Sequence, residues 1–140
     1  MKRLLTIIVI LVSAVVSAFA QKVDYTKYDV LAKSGNVSVV VKDNDYRMVV
    51  GSLTKPKKVF LLGYSKEQAA QKFEYLLDLA DNDSYTRTNR QISFCGVGLL
   101  LTIEGTGDNE RYKFVEEGKF IRFDLSKREL LQIKSSLEET

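Results

Sequence analysis

Carboxylates, amines, phenols and hydroxyls are the groups with which this chain could do chemistry. Its 140 residues include no histidine and a single cysteine, Cys95. Without histidine there is no Ser-His-Asp or Cys-His pair and no histidine-ligated zinc, and one cysteine cannot form a thiolate metal site or a Cys-x-x-Cys pair. The sequence therefore leaves carboxylate, lysine, tyrosine or Ser-Lys chemistry.

A pair of carboxylates would be the simplest catalytic arrangement, as in glycoside hydrolysis, where two of them flank the scissile bond. The available carboxylates lie scattered over predicted turns and strand edges: Glu104, Glu110, Glu116, Glu117 and Asp124. Their spacing nominates no pair. A small exported carboxylate-dependent enzyme acting on glycans is the alternative hypothesis, and we predict no catalytic residue.

Two acidic clusters resemble parts of a calcium loop, one at Asp43-Asn44-Asp45 and one beginning at Asp81. A complete loop needs glycine at its sixth position and glutamate at its twelfth. Counted from Asp81 these positions hold Thr86 and Ile92, and the loop counted from Asp43 fails in the same way. Asp and Asn are also common turn residues. We predict no metal and no cofactor.

The first twenty residues have the three parts of a secretory signal. Lys2 and Arg3 precede an apolar run over residues 4–12, and Ala18 and Ala20 occupy the positions that signal peptidase reads. We expect cleavage after Ala20 and a periplasmic or secreted domain. The alternative is an uncleaved membrane anchor, for which the apolar run is short. Position 21, the first residue after the expected cleavage, is glutamine and not cysteine, so no lipid anchor is expected.

The expected mature chain is close to neutral. Lys2 and Arg3 leave with the signal, so the 21 basic residues of the whole chain become 19, against 18 acidic ones. This balance gives no electrostatic signature of a nucleic-acid or anionic-membrane partner. The remaining length suits one domain with a core of its own.

Residue patterning indicates an α+β fold built from tandem βββα units. The predicted strands cover residues 37–42, 46–53, 58–64, 92–104, 111–115 and 119–125. Ser65 with Gln68, and Ser126 with Glu129, are typical of the capping box that begins a helix. We expect one antiparallel sheet of about six strands with two helices on one face.

This pattern divides the chain into a signal peptide (1–20), an N-terminal segment (21–35) and a single domain (36–140). Within the domain, unit one covers residues 36–83 and unit two covers residues 92–139, with a connector at 84–91. The two units align at an offset of 61 residues, which places Tyr64-Ser65-Lys66 on Leu125-Ser126-Lys127. Chance similarity of two capped helices is the alternative to a true internal repeat.

Several predicted strands are apolar on consecutive residues, although consecutive side chains point to opposite faces of a sheet. The second face is covered by the N-terminal segment, by curvature of the sheet, or by a partner. The side chains predicted to contact a partner are four on strands and two tyrosines outside them: Val40, Phe60, Leu62, Leu100, Tyr75 and Tyr85. We expect a non-catalytic binding module for an unknown protein or glycan, with a homodimer through the apolar sheet face as its simplest form.

Overall fold

The computed structural model describes residues 23–81 and 90–139 and shows an α+β protein with antiparallel sheets. The predicted signal peptide, Tyr85 and most of the predicted connector lie outside these residues. The first unit consists of β1 (Asp29–Ser34), β2 (Val37–Lys42), β3 (Asp45–Gly51), β4 (Pro56–Gly63) and α1 (Lys66–Asp81). The second consists of β5 (Arg90–Phe94), β6 (Val97–Glu104), β7 (Arg111–Glu116), β8 (Ile121–Ser126) and α2 (Lys127–Glu138).

The strands form two separate four-stranded sheets, and each is an antiparallel meander. Sheet one has the order β1-β2-β3-β4, and sheet two has the order β5-β6-β7-β8. The prediction of one six-stranded sheet made of βββα units is therefore wrong in its details. Each helix follows four strands and not three. The prediction has one strand too few in each unit, because it leaves out β1 and treats β5 and β6 as one long strand.

A two-residue turn separates β5 from β6. Cys95 and Gly96 both have left-handed backbone, with φ of 52° and 78°, and Phe94 pairs with Val97. Such turns favour Asn-Gly or Asp-Gly, so a cysteine in the first position conceals the hairpin. The equivalent turn between β2 and β3 uses Asp43 and Asn44, with φ of 51° and 65°, and there the predicted tight turn is confirmed.

Strand β1 has no simple alternation in its sequence because it is an edge strand with an irregularity. Its pairing with β2 shifts between Val30 and Ala32, and Val30 is exposed. A shift of this kind changes which side chains face the core, so a period of two is lost. Before β1, Tyr25–Lys27 form one turn of 3-10 helix.

Both sheets and both helices share one hydrophobic core. Phe60 on β4 lies 5.5 Å from Phe94 and 5.6 Å from Phe123, measured between ring centroids, so sheet one packs directly against sheet two. The two helices pack on each other, and α2 also contacts β1 and β8. Neither unit encloses this core by itself.

Both helices begin as predicted. The hydroxyl oxygen of Ser126 accepts a hydrogen bond from the backbone N–H of Glu129 (3.1 Å), and the Glu129 carboxylate accepts from the N–H of Ser126 (3.0 Å). Ser65 caps α1 by accepting from the N–H of Gln68 (3.2 Å), but the Gln68 side chain accepts from Tyr64, one residue before the cap (2.8 Å). These bonds satisfy backbone donors that a helix leaves unpaired.

The outer face of sheet one is closed by the N-terminal segment. Tyr25 is buried against Val40 and Val49, whose own side chains have no solvent exposure. Arg47 donates a hydrogen bond to the Tyr25 hydroxyl (3.1 Å), and its guanidinium lies 5.9 Å from the centre of that ring. Tyr28 donates to Asp45 (3.3 Å), the same carboxylate that pairs with Arg47 (2.9 Å). Of the three ways to cover this face, the first is therefore the one found.

The outer face of sheet two is mainly polar. Lys113 pairs with Glu104 at 2.9 Å, and Arg111 pairs with Asp124 at 2.6 Å. Among the residues that the structure describes, no helix has the length and apolar composition needed to cross a bilayer.

Candidate binding site

A groove lies at the junction of the two sheets. It is bounded by the end of β4, the first three turns of α1, and the turn between β5 and β6, and it encloses about 690 Å³. Pockets of this size commonly hold ligands or a short stretch of polypeptide. The groove is therefore the first place to look for a binding function.

Two exposed tyrosines stand on the wall of this groove. Tyr64, after β4, is 64% exposed, and Tyr75, on α1, is 41% exposed. The amides of Gln68 and Gln71 and the ammonium group of Lys72 also line the groove, and Lys72 is the one charged residue in the described part of its lining. Tyrosine combines a large apolar ring with a polar hydroxyl at low entropic cost, which makes it frequent at binding surfaces.

Gly63 shapes the corner where β4 turns into α1. Its φ of 151° falls in the left-handed range, and a Cβ atom there would lie 2.6 Å from the Cβ of Gln68. Only glycine fits both conditions, because other residues would strain the backbone and collide with the helix. The position of Tyr64 on the groove wall depends on this close approach.

Two strand edges also border the groove. Within the described part of the chain, β4 pairs only with β3 and β5 pairs only with β6. Residues 61–63 of β4 and residues 93–94 of β5 both line the groove. An edge strand presents backbone N–H and C=O groups that another strand can bind. The groove thus offers backbone hydrogen bonding as well as side-chain contacts.

Cys95 lies on the groove floor with a half-buried side chain. Burial raises the pKa of its thiol to about 11, and the nearby positive charge of Lys72 opposes this only in part. At neutral pH the group is therefore a protonated thiol, which is a poor nucleophile. This cysteine is part of the packing of the groove and not a reactive group.

Three of the residues predicted to contact a partner are buried in the fold instead. Val40 lies under Tyr25 on the outer face of sheet one, whereas Phe60 and Leu62 are in the shared core. Their exposed fractions are 0–1%, so a partner could not reach these side chains without unfolding the strands. The prediction of an open apolar sheet face at these positions is wrong because the chain covers that face itself.

The other three predicted contact residues have different positions. Leu100 is half-buried on the outer face of sheet two, where it pairs with Val115. Tyr75 is in the groove, as a contact residue would be. Tyr85 lies outside the described residues.

Among the exposed apolar residues that sequence reasoning did not nominate are Leu61, Tyr64 and Phe120. Leu61 was read only as one of four consecutive apolar residues on β4, and burial of its neighbours Phe60 and Leu62 leaves it facing outward. Tyr64 directly precedes the predicted helix cap, a signal that could have placed it at a corner. Phe120 follows the turn residues Glu117-Gly118 and was assigned to a strand.

Four of the five scattered carboxylates contact cations. Glu116 contacts Lys58, Glu110 contacts Lys127 at 3.7 Å, and the exposed pairs of sheet two use Glu104 and Asp124. Among residues 23–81 and 90–139 no group of three or more carboxylates and thiols could hold a metal ion.

The chain matches no known protein family model, and it shows no significant similarity to curated proteins or to solved structures. The groove and the exposed residues must therefore be interpreted from their own chemistry.

Proposed function

We propose that this protein is an exported, non-catalytic binding module that holds an extended segment of a partner protein in the groove between β4 and β5. The signal-like first twenty residues support export. The observation that carries the binding proposal is the meeting of two strand edges and two exposed tyrosines in one groove. In such a site a segment adds to a sheet through backbone hydrogen bonds, and its side chains contact the groove walls.

The protection of β4 is uneven in a way that supports this binding mode. Its first residues are Pro56, Lys57 and Lys58, and proline and lysine are the residues that keep an edge from pairing with other chains. From Val59 to Gly63 the strand has no charged residue. The edge of β4 is therefore protected from pairing at its start, which lies outside the groove, and it is unprotected where it lines the groove.

Charge narrows the kind of segment that fits. Lys72 is half-buried in the groove wall, and none of the described residues that line the groove beside it is acidic. A partner carboxylate placed near Lys72 would form a shielded ion pair, which is stronger than one on an open surface. We propose an extended segment that alternates apolar and polar residues and includes one acidic side chain or a chain-terminal carboxylate.

Affinity capture from an extract of the native envelope tests this function, with the exported chain as bait. Tyr64→Ala and Tyr75→Ala remove the groove wall, whereas Leu131→Ala is the control because Leu131 on α2 is 43% exposed, close to the 41% of Tyr75. We expect a partner whose affinity falls at least about tenfold with either tyrosine variant, as for aromatic contact residues. The control should change that affinity less than about twofold. Equal retention by all variants would contradict the proposal.

A further inference from the structure

Phe120 is the most exposed large apolar residue of the described chain. Its side chain is 96% exposed in the turn that joins β7 to β8. A ring in this position removes almost no apolar surface from water and so adds nothing to the core. The reason for a phenylalanine here is not the burial that explains the other five phenylalanines that the structure describes.

The backbone at Phe120 is also unfavourable for an aromatic residue. Its φ is 55°, in the left-handed region, where the Cβ atom crowds the backbone. Glycine and asparagine adopt this conformation more readily, and the same turn uses glycine at residue 118, with φ of 80°. Phe120 thus serves neither the core nor the turn, and strain of this kind is frequent where a side chain is held out for binding.

Charged groups surround the ring unevenly. Lys119 is 64% exposed, although it also contacts Glu116 at 3.4 Å, and Arg122 is exposed on β8. Glu117 is the one exposed acid in the turn. The exposed charged residues within three positions of Phe120 are therefore two cations and one acid, a balance that complements a surface carrying carboxylates.

We propose that Phe120 is the anchor of a second contact surface and inserts into an apolar pocket of another protein whose rim is acidic. This goes beyond the groove, because Phe120 does not line it. The turns after β5 and after β7 lie at the same end of sheet two, since alternate turns of an antiparallel meander share an end. Lys58 on β4 contacts Glu116 at the end of β7, and residues 61–63 of the same strand line the groove. Strand β4 therefore lies between the two surfaces.

A second copy of this chain is the less favourable partner. The groove between β4 and β5 of such a copy has Lys72 as the one charged residue in its described lining, and that cation would meet the cations beside Phe120. Like charges brought together at an interface oppose association. The charge of this groove therefore favours a different protein as the owner of the pocket that receives Phe120, and a second copy is one outcome of the test below.

Thermal unfolding of Phe120→Asn provides the first test. Asparagine tolerates left-handed backbone, so we expect a melting temperature equal to that of the wild type or up to about 5 °C higher. If Phe120 contacts a partner, Phe120→Asn should lose binding to that partner while the stability of the fold is unchanged or improved. A fall of several degrees would show that the ring supports the fold and would overturn the proposal.

Photo-crosslinking in the native host provides the second test. Phe120 is replaced by p-benzoylphenylalanine, and Leu131 is replaced in a control strain. We expect one discrete adduct with another protein at position 120 and none at 131. No discrete adduct at 120, or an adduct of twice the chain mass that indicates a second copy, would overturn the proposal. A crosslinker at Tyr75 reports on the groove separately, so the two proposals can fail independently.

Discussion

Lys58 on β4 places its ammonium nitrogen 3.1 Å from one carboxylate oxygen of Glu116, at the end of β7. The two side chains are only 19% and 9% exposed, so this ion pair joins the two sheets in a partly shielded place. This ion pair and the contacts of the Phe60 ring with Phe94 and Phe123 together hold β4 in its position across the end of sheet two. That crossing separates the groove from the turn that carries Phe120.

Removing one partner of this ion pair should be costly. Lys58→Met leaves the Glu116 carboxylate buried without its main cation, and we expect a loss of about 3 kcal/mol in the free energy of unfolding. Lys113→Met breaks the exposed pair with Glu104 and should cost less than about 0.5 kcal/mol. Chemical denaturation of both variants measures the difference. Equal losses would contradict the shielded character of the Lys58–Glu116 pair.

The same ion pair predicts how stability depends on pH. Burial raises the pKa of Glu116, but hydrogen bonds from Lys58 and Lys119 outweigh it, so the pKa lies below its ordinary value of 4.5. The contribution of the charged form is therefore complete above that value and is lost as the pH falls through the lowered pKa. Glu116→Gln should be less stable than the wild type at pH 7, and the difference should shrink in acid. A constant difference from pH 7 to pH 3 would be inconsistent with this assignment.

Truncation of two neighbouring residues on β4 should change the free energy of unfolding by very different amounts. Phe60 contacts rings of sheet two and is 1% exposed, so Phe60→Ala should cost about 3–5 kcal/mol. Leu61 is 38% exposed at the groove, and Leu61→Ala should change stability by less than about 1 kcal/mol. Urea titration checks both values. Similar costs at the two positions would show that the assignment of inner and outer faces is wrong.

Gly63→Ala tests the close approach of β4 and α1. We expect a loss of at least about 2 kcal/mol, because the added methyl group collides with Gln68 and the backbone is strained. Gly35→Ala is the matched control: φ there is also left-handed, at 57°, but no atom lies within 4 Å of the added Cβ. Its cost should be only that of the backbone, about 1 kcal/mol. Thermal unfolding distinguishes the two, and a larger loss at Gly35 would refute the contact argument.

Cys95 should react slowly with thiol reagents. With the pKa raised to about 11, the thiolate fraction at pH 8 is smaller than that of a free cysteine by roughly 100-fold. Modification by a disulfide reagent in native buffer should be slower by at least that factor than in denaturant, and it should speed up as the pH rises toward 11. Equal rates in native and denaturing buffer would show an open, ordinary thiol.

The N-terminal segment should protect sheet one. Tyr25→Ala removes the ring that covers Val40 and Val49 and the acceptor of the Arg47 hydrogen bond, so we expect a loss of about 3 kcal/mol and new binding of a hydrophobic dye. Thr26→Ala changes an exposed residue of the same turn and serves as the control. No change in dye binding with Tyr25→Ala would show that the outer face is covered by something else.

How far the sequence predicts this fold depends on which residues carry local signals. Ser65 and Ser126 predict both helix starts, because capping needs only a few adjacent residues. The hairpin at Cys95-Gly96 was missed because its first residue is unusual for that turn. The split into two sheets depends on contacts such as Phe60 with Phe123, which lie 63 positions apart in the chain and leave no local pattern.

The candidate site was only partly predictable for the same reason. Tyr75 follows from the helical pattern, which places it on the outer side of α1. Val40 was assigned to a partner surface because nothing in its own strand indicates that Tyr25 covers it. The exposure of Phe120 depends on the conformation of one turn, and the sequence around it is equally typical of a strand.

Hydrogen–deuterium exchange of β4 in the presence of the captured partner tests the central claim most directly. If a partner segment adds to the open edge, backbone amides within residues 61–63 should exchange at least about tenfold more slowly in the complex, because those that face away from β3 gain hydrogen bonds. Amides of the polar outer face of sheet two, such as Lys113, should not change. Unchanged exchange in β4, with protection found elsewhere on the molecule, would contradict the account.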